Sequence, residues 1–259
     1  MAILVTNDDG IHADGLAELS RGLSKLQDIV VVAPDREQSA VGHAITLSNP
    51  LRITPIRRGG KLFGYACNGT PADAVKLGIK VVMDEPPELI VSGVNNGANV
   101  GASLIYSGTV SAATEGTLLG IPSLAVSLDN RFGGDYSIAV GFTVKLAGMI
   151  LRKGLPAGVL LNVNIPDLSA DDIKGVKVTS QGQTAFNDFF EERKDPRGQV
   201  YYWMSGSMVA NNPHPDHDVN ALEAGFITIT PVHYDLTARD SLDKLKKWNI
   251  PTLWDGNVT

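Results

Sequence analysis

Asp8 and Asp9 stand side by side within Asn7-Asp8-Asp9-Gly10, directly after a short apolar run at residues 3–6. Adjacent carboxylates at the end of a buried strand repel one another and lose hydration, so they call for a cation or a shared proton. Their hard oxygens suit Mg2+, Mn2+ or Ca2+ rather than zinc. The same four residues are also good turn chemistry, so this cluster alone leaves both readings open. A second cluster at residues 38–43 brings Gln38, Ser39 and His43 together. A serine hydroxyl there could complete a metal shell or meet phosphate, and could equally bond its own loop. His43 reads as a proton donor or as a hydrogen-bonded structural residue.

A third cluster, residues 92–101, holds three asparagines (Asn95, Asn96, Asn99) and three glycines. That composition implies several positive-φ positions, and ten residues exceed what a simple turn needs. Such a loop can aim an amide oxygen at a cation and amide N–H groups at an anion. In a fourth cluster, Ser107, Gly108 and Thr109 open a small-residue helix. Free backbone N–H groups and the positive dipole end make a helix start a ready phosphate site, and plain N-capping by Ser107 or Thr109 is compatible with that.

The elements that must position these clusters alternate along the first 130 residues. Residues 3–6 and 28–33 read as buried strands, and an apolar run without polar alternation suits a parallel strand covered on both faces. Between them Leu16, Leu19, Leu23 and Leu26 recur at helical spacing. Thr70-Pro71-Ala72-Asp73 reads as a helix start. Residues 88–94 and 122–128 are further strands, with a helix at 107–119. Alternation of this kind implies an open α/β sheet with right-handed crossovers, whose ligands bind beyond the carboxyl ends of the strands. The first three clusters each follow a strand, so topology gathers them on one rim. A helix at 136–151 and a buried strand at 158–164 continue the pattern. From Val176 onward, stretches at 176–180, 199–204 and 226–230 are strand-like and short of partners within one chain, which predicts a β-rich arm and an oligomer built on it. A short helix at 241–247 and a tail carrying Trp248 and Trp254 follow.

Composition narrows the class. The 259 residues are 43% apolar and 19% charged, which is ample for a core, and 27 glycines and 14 prolines imply many tight turns. A net charge of −6 argues against duplex DNA as the main partner, although one metal ion could reverse the local field for a small anionic substrate. Cys67 is the single cysteine, so no intrachain disulfide forms. No apolar stretch approaches a membrane span, and the first residues lack a secretory pattern, so the cytoplasm is the expected location. Dinucleotide, P-loop, H-E-x-x-H and G-x-S-x-G motifs are all missing. His214, Asp216, His217 and Asp218 read as surface turn chemistry.

Taken in order, residues 3–10 (ILVTNDDG), 39–46 (SAVGHAIT), 68–73 (NGTPAD), 92–99 (SGVNNGAN), 106–112 (YSGTVSA), 161–166 (LNVNIP), 218–231 and 235–237 resemble the SurE family of survival-protein nucleotidases. The resemblance covers most of the chain. It implies a divalent-metal-dependent phosphatase acting on nucleoside 5′- and 3′-monophosphates, with short polyphosphate as a further substrate of some members. It also implies a Rossmann-like, mostly parallel sheet flanked by helices, with a β-rich C-terminal arm used in dimer exchange and tetramers as a further association. On that basis residues 1–175 form the catalytic core, and residues 176–259 the arm and tail. By position, the resemblance places one divalent ion per subunit, Mg2+ or Mn2+, on Asp8, Asp9, Ser39 and Asn95. It places the phosphate-contacting turn on Ser107, Gly108 and Thr109. Asn96 stands where the family has a small residue such as alanine, and residues 183–198 are hard to align.

The expected chemistry is metal-assisted phosphomonoester hydrolysis of a small nucleotide. Asp8 and Asp9 hold the cation by charge, and Ser39 and Asn95 add neutral oxygens. Asn95 or Asn96 orients the attacking water or donates to the phosphoryl group, and Ser107 and Thr109 stabilise the charge on its equatorial oxygens. Two alternatives remain at this point. One is an aspartyl-phosphate route, which the absence of a D-x-D arrangement disfavours; the other is a nucleotide or metal sensor without turnover.

Overall fold

The computed structural model describes residues 2–130, 134–212, 214–248 and 250; the expected Trp254 tail lies outside them. The chain runs through β1 (Ala2–Thr6), α1 (Asp14–Leu23), β2 (Asp28–Pro34), β3 (Ile53–Arg58), β4 (Lys61–Cys67), α2 (Pro71–Leu77) and a π-helical turn (Gly78–Val82). It continues through β5 (Leu89–Asn96), a 3-10 turn (Gly101–Ile105), α3 (Gly108–Leu118), β6 (Ser123–Leu128), α4 (Ser137–Lys153) and β7 (Val159–Ile165). Then come β8 (Val176–Val178), β9 (Thr184–Lys194), β10 (Val200–Ala210), α5 (Asp218–Glu223), β11 (Ile227–His233) and α6 (Arg239–Lys246).

Nine strands form one sheet in the order β3-β4-β2-β1-β5-β6-β7-β11-β8. The six from β4 to β7 are mutually parallel, with β3 antiparallel to β4 and β11 antiparallel to β7. From β1 the chain works outward through β2 to β4, then returns to the other side of β1 and continues through β5, β6 and β7. The reversal opens a crevice between the carboxyl ends of β1 and β5, the position at which doubly wound sheets bind ligands.

Helices cover both faces. On one, α1 packs against α4 and β5; on the other, α2 and α3 pack together over β2, β5 and β6. The heptad-like leucines of α1 explain its seat: Leu16, Leu19 and Leu23 are fully buried, and each such burial stabilises by about 1.5–3 kcal/mol. The strand reading holds as well, since β1, β5 and β6 are buried along nearly their whole length. At α2 the Thr70 hydroxyl accepts from the Asp73 N–H while Asp73 Oδ2 accepts from the Thr70 N–H, a closed capping box behind Pro71.

After Val176 the sheet and the sequence pattern part company. β8 and β11 complete the main sheet, so the division expected at residue 176 runs through that sheet rather than beside it. Only β9 and β10 stand apart, as a two-stranded antiparallel hairpin. β11 is drawn back because Ile227 and Thr228 are buried beside β7, where its alternation needs a partner. The sequence reading also passed over the β3–β4 hairpin and the β9 strand, whose charged residues hide their alternation.

Candidate active site

Asp8 and Asp9 leave β1 at the crevice. Ahead of them the Asn7 side chain closes a tight turn, accepting from the Gly10 N–H and donating to the Gly10 carbonyl, each at 3.1 Å. The Asp8 carbonyl accepts from Gln38 N–H at 2.8 Å, which docks the loop after β2 beside the pair. The same loop is tied to the start of α3 by the Gly42 N–H donating to Tyr106 O at 3.1 Å. Asn95 and Asn96 close β5, where a bulge between Ser92 and Asn95 interrupts pairing with β6. A Cβ on Gly93 would fall 2.4 Å from Val126 O, so only glycine lets β5 approach β6 there.

The start of α3 meets the carboxylates directly. The Thr109 hydroxyl donates to Asp8 Oδ1 and lies 3.4 Å from Asn95 Oδ1. Ser107 caps the helix, accepting from the Val110 N–H at 3.1 Å, so the capping reading of that cluster is realised. Capping uses only the acceptor side of Ser107 and leaves its O–H available to a ligand. Asp8, Ser39, Asn95, Asn96 and Ser107 line one cleft of about 530 Å3, which α5 borders through Val219 and Leu222. Asp9 and Asn96 line a second, larger cleft of about 1040 Å3 between α1 and α4. The carboxylate pair therefore sits on the divide between two solvent-filled spaces.

Electrostatics at the pair are unfavourable as they stand. Burial pushes the Asp8 carboxyl above its usual range against the pull of the Thr109 hydrogen bond. Burial, followed by the neighbouring charge of Asp8, raises Asp9 to about 7, while the Asn96 N–H draws it down. Glu37 adds like charge to both, an acidic neighbour that the sequence reading missed. Asp9 Oδ2 is buried and without a hydrogen-bond partner. A buried, unpartnered carboxylate oxygen beside a second carboxylate fits a cation well. Among the described residues there is no cluster of three His, Cys, Asp or Glu, so any such cation takes two carboxylates and neutral oxygens. The Ser39 hydroxyl is turned to Glu37 Oε1.

The frame of the asparagine loop lies in β6 and, above all, β7. Asn99 donates its N–H to Asn164 Oδ1 at 2.7 Å and its side chain to Ser127 Oγ at 2.8 Å. Its carbonyl accepts from Asn162 and Asn164 at 2.8 and 3.0 Å. Two asparagines alternating in an otherwise apolar buried strand were the signal for this frame. Asp218 was also misjudged as surface chemistry. It is fully buried, and its carboxylate accepts from Gly101, Gly182 and Val219 N–H groups. His43 is structural: its Nε2 lies 2.9 Å from Glu115 Oε2, and Lys76 bonds the other oxygen of that carboxylate.

Fold and site together define a doubly wound α/β protein that carries a carboxylate and amide site at its switch point, facing a helix N-terminus. The family model described as Survival protein SurE matches residues 3–188, and the chain belongs to that family. It is 50% identical over 250 residues to the 5'-nucleotidase SurE of Syntrophobacter fumaroxidans, covering 96% of this chain and all of that one. It is 49% identical to the 5'-nucleotidase SurE of Moorella thermoacetica, over 99% of this chain and 98% of that one. The crystal structure of the SurE protein from Aquifex aeolicus superposes with a TM-score of 0.83 at 38% identity, covering 96% of this chain and 99% of that one. The Rossmann-like fold class expected from the sequence is thereby established.

Proposed function

We propose that the protein is a divalent-metal-dependent phosphatase that hydrolyses nucleoside 5′- and 3′-monophosphates to nucleoside and phosphate. Its relatives' nucleotidase names support this reading. The observation that carries it is buried Asp8 beside half-buried Asp9, whose Oδ2 is buried and unpartnered, next to the N-terminus of α3. Paired negative charge next to a phosphate-binding helix end would repel substrate unless a dication stood between them.

Asp8, Asp9, Ser39 and Asn95 would hold that ion, Mg2+ or Mn2+ by the hardness of their oxygens. When bound, it supplies Lewis-acid polarisation of a phosphoryl oxygen and activation of water. The chain's own residues do the rest. Ser107, whose O–H is not used in capping, and the Gly108 N–H would meet the equatorial phosphoryl oxygens, while the Thr109 backbone N–H is committed to Asp8. Thr109 fixes Asp8 by donating to it. Asn96 donates to the phosphoryl group, and Asn95 orients the attacking water. The cleft beyond, bordered by Val219 and Leu222, accepts the nucleoside.

Phosphate release from nucleoside monophosphates with Mg2+ or Mn2+ tests the proposal, with Asp9→Ala as control. Turnover that needs metal and vanishes in Asp9→Ala supports it. Full activity in the folded variant would overturn it, and nucleotide binding without release would mark a sensor instead. Short polyphosphate belongs in the same screen.

The β9–β10 arm carries the assembly part of the proposal. Phe186, Phe189, Phe190, Tyr202 and Trp203 are all more than half exposed on a two-stranded hairpin, which is marginally stable alone in water. A homodimer, or a tetramer of two such dimers, buries those rings. A monomeric mass by sedimentation at micromolar concentration would refute it. A cytoplasmic setting fits the single buried Cys67, and no described helix is long and apolar enough to cross a membrane.

A further inference from the structure

The larger cleft contains a tyrosine that the chemistry above does not use. Tyr136, immediately before α4, is 7% exposed, and its hydroxyl donates to Asn96 Oδ1 at 2.7 Å. Its ring is held from behind by α1. A Cβ on Gly15 would fall 3.2 Å from Tyr136 Cε1 and 2.4 Å from Val94 O, so the bare glycine lets the ring lie against the helix. The buried ring thus holds the hydroxyl against α1 before any ligand arrives.

We infer that Tyr136 is a positioning residue that locks the Asn96 side-chain amide with its oxygen tied back and its NH2 group presented to the phosphoryl group. A planar amide has its acceptor on one edge and its donors on the other. With Oδ1 committed to Tyr136, the nitrogen has no hydrogen-bond partner among the described residues. Asn96 is the residue shared by both clefts, and its own N–H faces the Asp9 carboxylate. Without the tyrosine hydroxyl, the amide can rotate and offer its oxygen to an incoming anion, which phosphate would reject. The inference rests on the reading of Asn96 as a phosphate contact, and the test separates the two.

The experiment measures binding of inorganic phosphate by calorimetry in the Mn2+-loaded protein, together with KM and kcat for a nucleoside monophosphate and the half-saturating Mn2+ concentration. The variants are Asn96→Ala, Tyr136→Phe and their combination. Asn96→Ala is expected to weaken phosphate binding and raise KM by about 10–150-fold, the range for one lost hydrogen bond to a charged group, and Tyr136→Phe to shift both in the same direction by at least about threefold. Mn2+ affinity should change less than twofold, and the double variant should be no weaker than Asn96→Ala. Unchanged phosphate binding in Asn96→Ala would overturn the reading of Asn96 itself. Weakening in Asn96→Ala but not in Tyr136→Phe, or additive losses in the pair, would overturn the role of Tyr136. A further variant avoids disturbing the ring. Asn96→Asp keeps an acceptor for Tyr136 but has no donor, so it must lose phosphate binding at least as severely as Asn96→Ala; retained binding would sink the inference.

Discussion

Gly108 presents no side chain to Asp8: a Cβ at position 108 would stand 2.7 Å from Asp8 Cβ and 2.8 Å from its Oδ2. Such a distance forces one of the two to move. The helix end can therefore approach the carboxylate only because residue 108 is glycine, and Thr109 then completes the contact by donating to Asp8.

Gly108→Ala should displace Asp8 within a helix that otherwise gains propensity. Misplacing a reacting group by about 1 Å costs about 100-fold in rate, so kcat/KM with saturating Mg2+ should fall by up to about that factor. Circular dichroism should stay native. Activity within twofold of the parent would show that the close approach does not matter.

Asp9→Asn separates charge from fold. In the presence of a chelator the parent keeps a buried and a half-buried acid side by side, so neutralising one should stabilise the metal-free protein by about 1 kcal/mol or more. Added Mn2+ should raise the melting temperature of the parent and leave the variant unmoved. A metal-free variant less stable than the parent would contradict the electrostatic account.

Glu115 predicts an acid limb in the stability profile. Burial pushes its carboxyl up, but hydrogen bonds from His43 and Lys76 prevail and hold it below its usual 4.5. A carboxyl lowered by folding contributes stability above its unfolded value and loses it as pH falls through the folded one. Glu115→Gln should therefore cost about 1–2 kcal/mol at pH 7, discounted because His43 and Lys76 are partly solvated, and the gap should close below pH 4.5. Urea titrations at pH 7 and pH 4 measure both values.

Asn164→Leu tests the frame of the asparagine loop. It removes the acceptor for the Asn99 N–H and one of two donors to the Asn99 carbonyl. A buried donor left unpaired costs about 1–3 kcal/mol, which urea denaturation should register alongside reduced activity. An unchanged midpoint would mean that the loop is held elsewhere.

Much of this molecule is readable from its residues, for local reasons. Uninterrupted apolar runs such as residues 29–33 announce buried parallel strands, and strand-end clusters then fall on one rim by topology. Thr70 and Asp73 cap a helix from within four residues. What stays hidden depends on distant partners. Asp218 looks like a surface turn until Gly101 and Gly182 arrive with their N–H groups from 117 and 36 positions away. Glu37 becomes a neighbour of Asp8 and Asp9 only because Gln38 bonds the Asp8 carbonyl. His43 owes its structural role to Glu115, 72 residues downstream.

The scaffold under the third cluster is built of Asn99, Ser127, Asn162 and Asn164, none of which ionises. Its hydrogen bonds are thus indifferent to acidity and to ionic strength, while Asp8 and Asp9 are sensitive to both. A cation arriving at Asp8 and Asp9 would therefore alter the charge there without reshaping the asparagine loop.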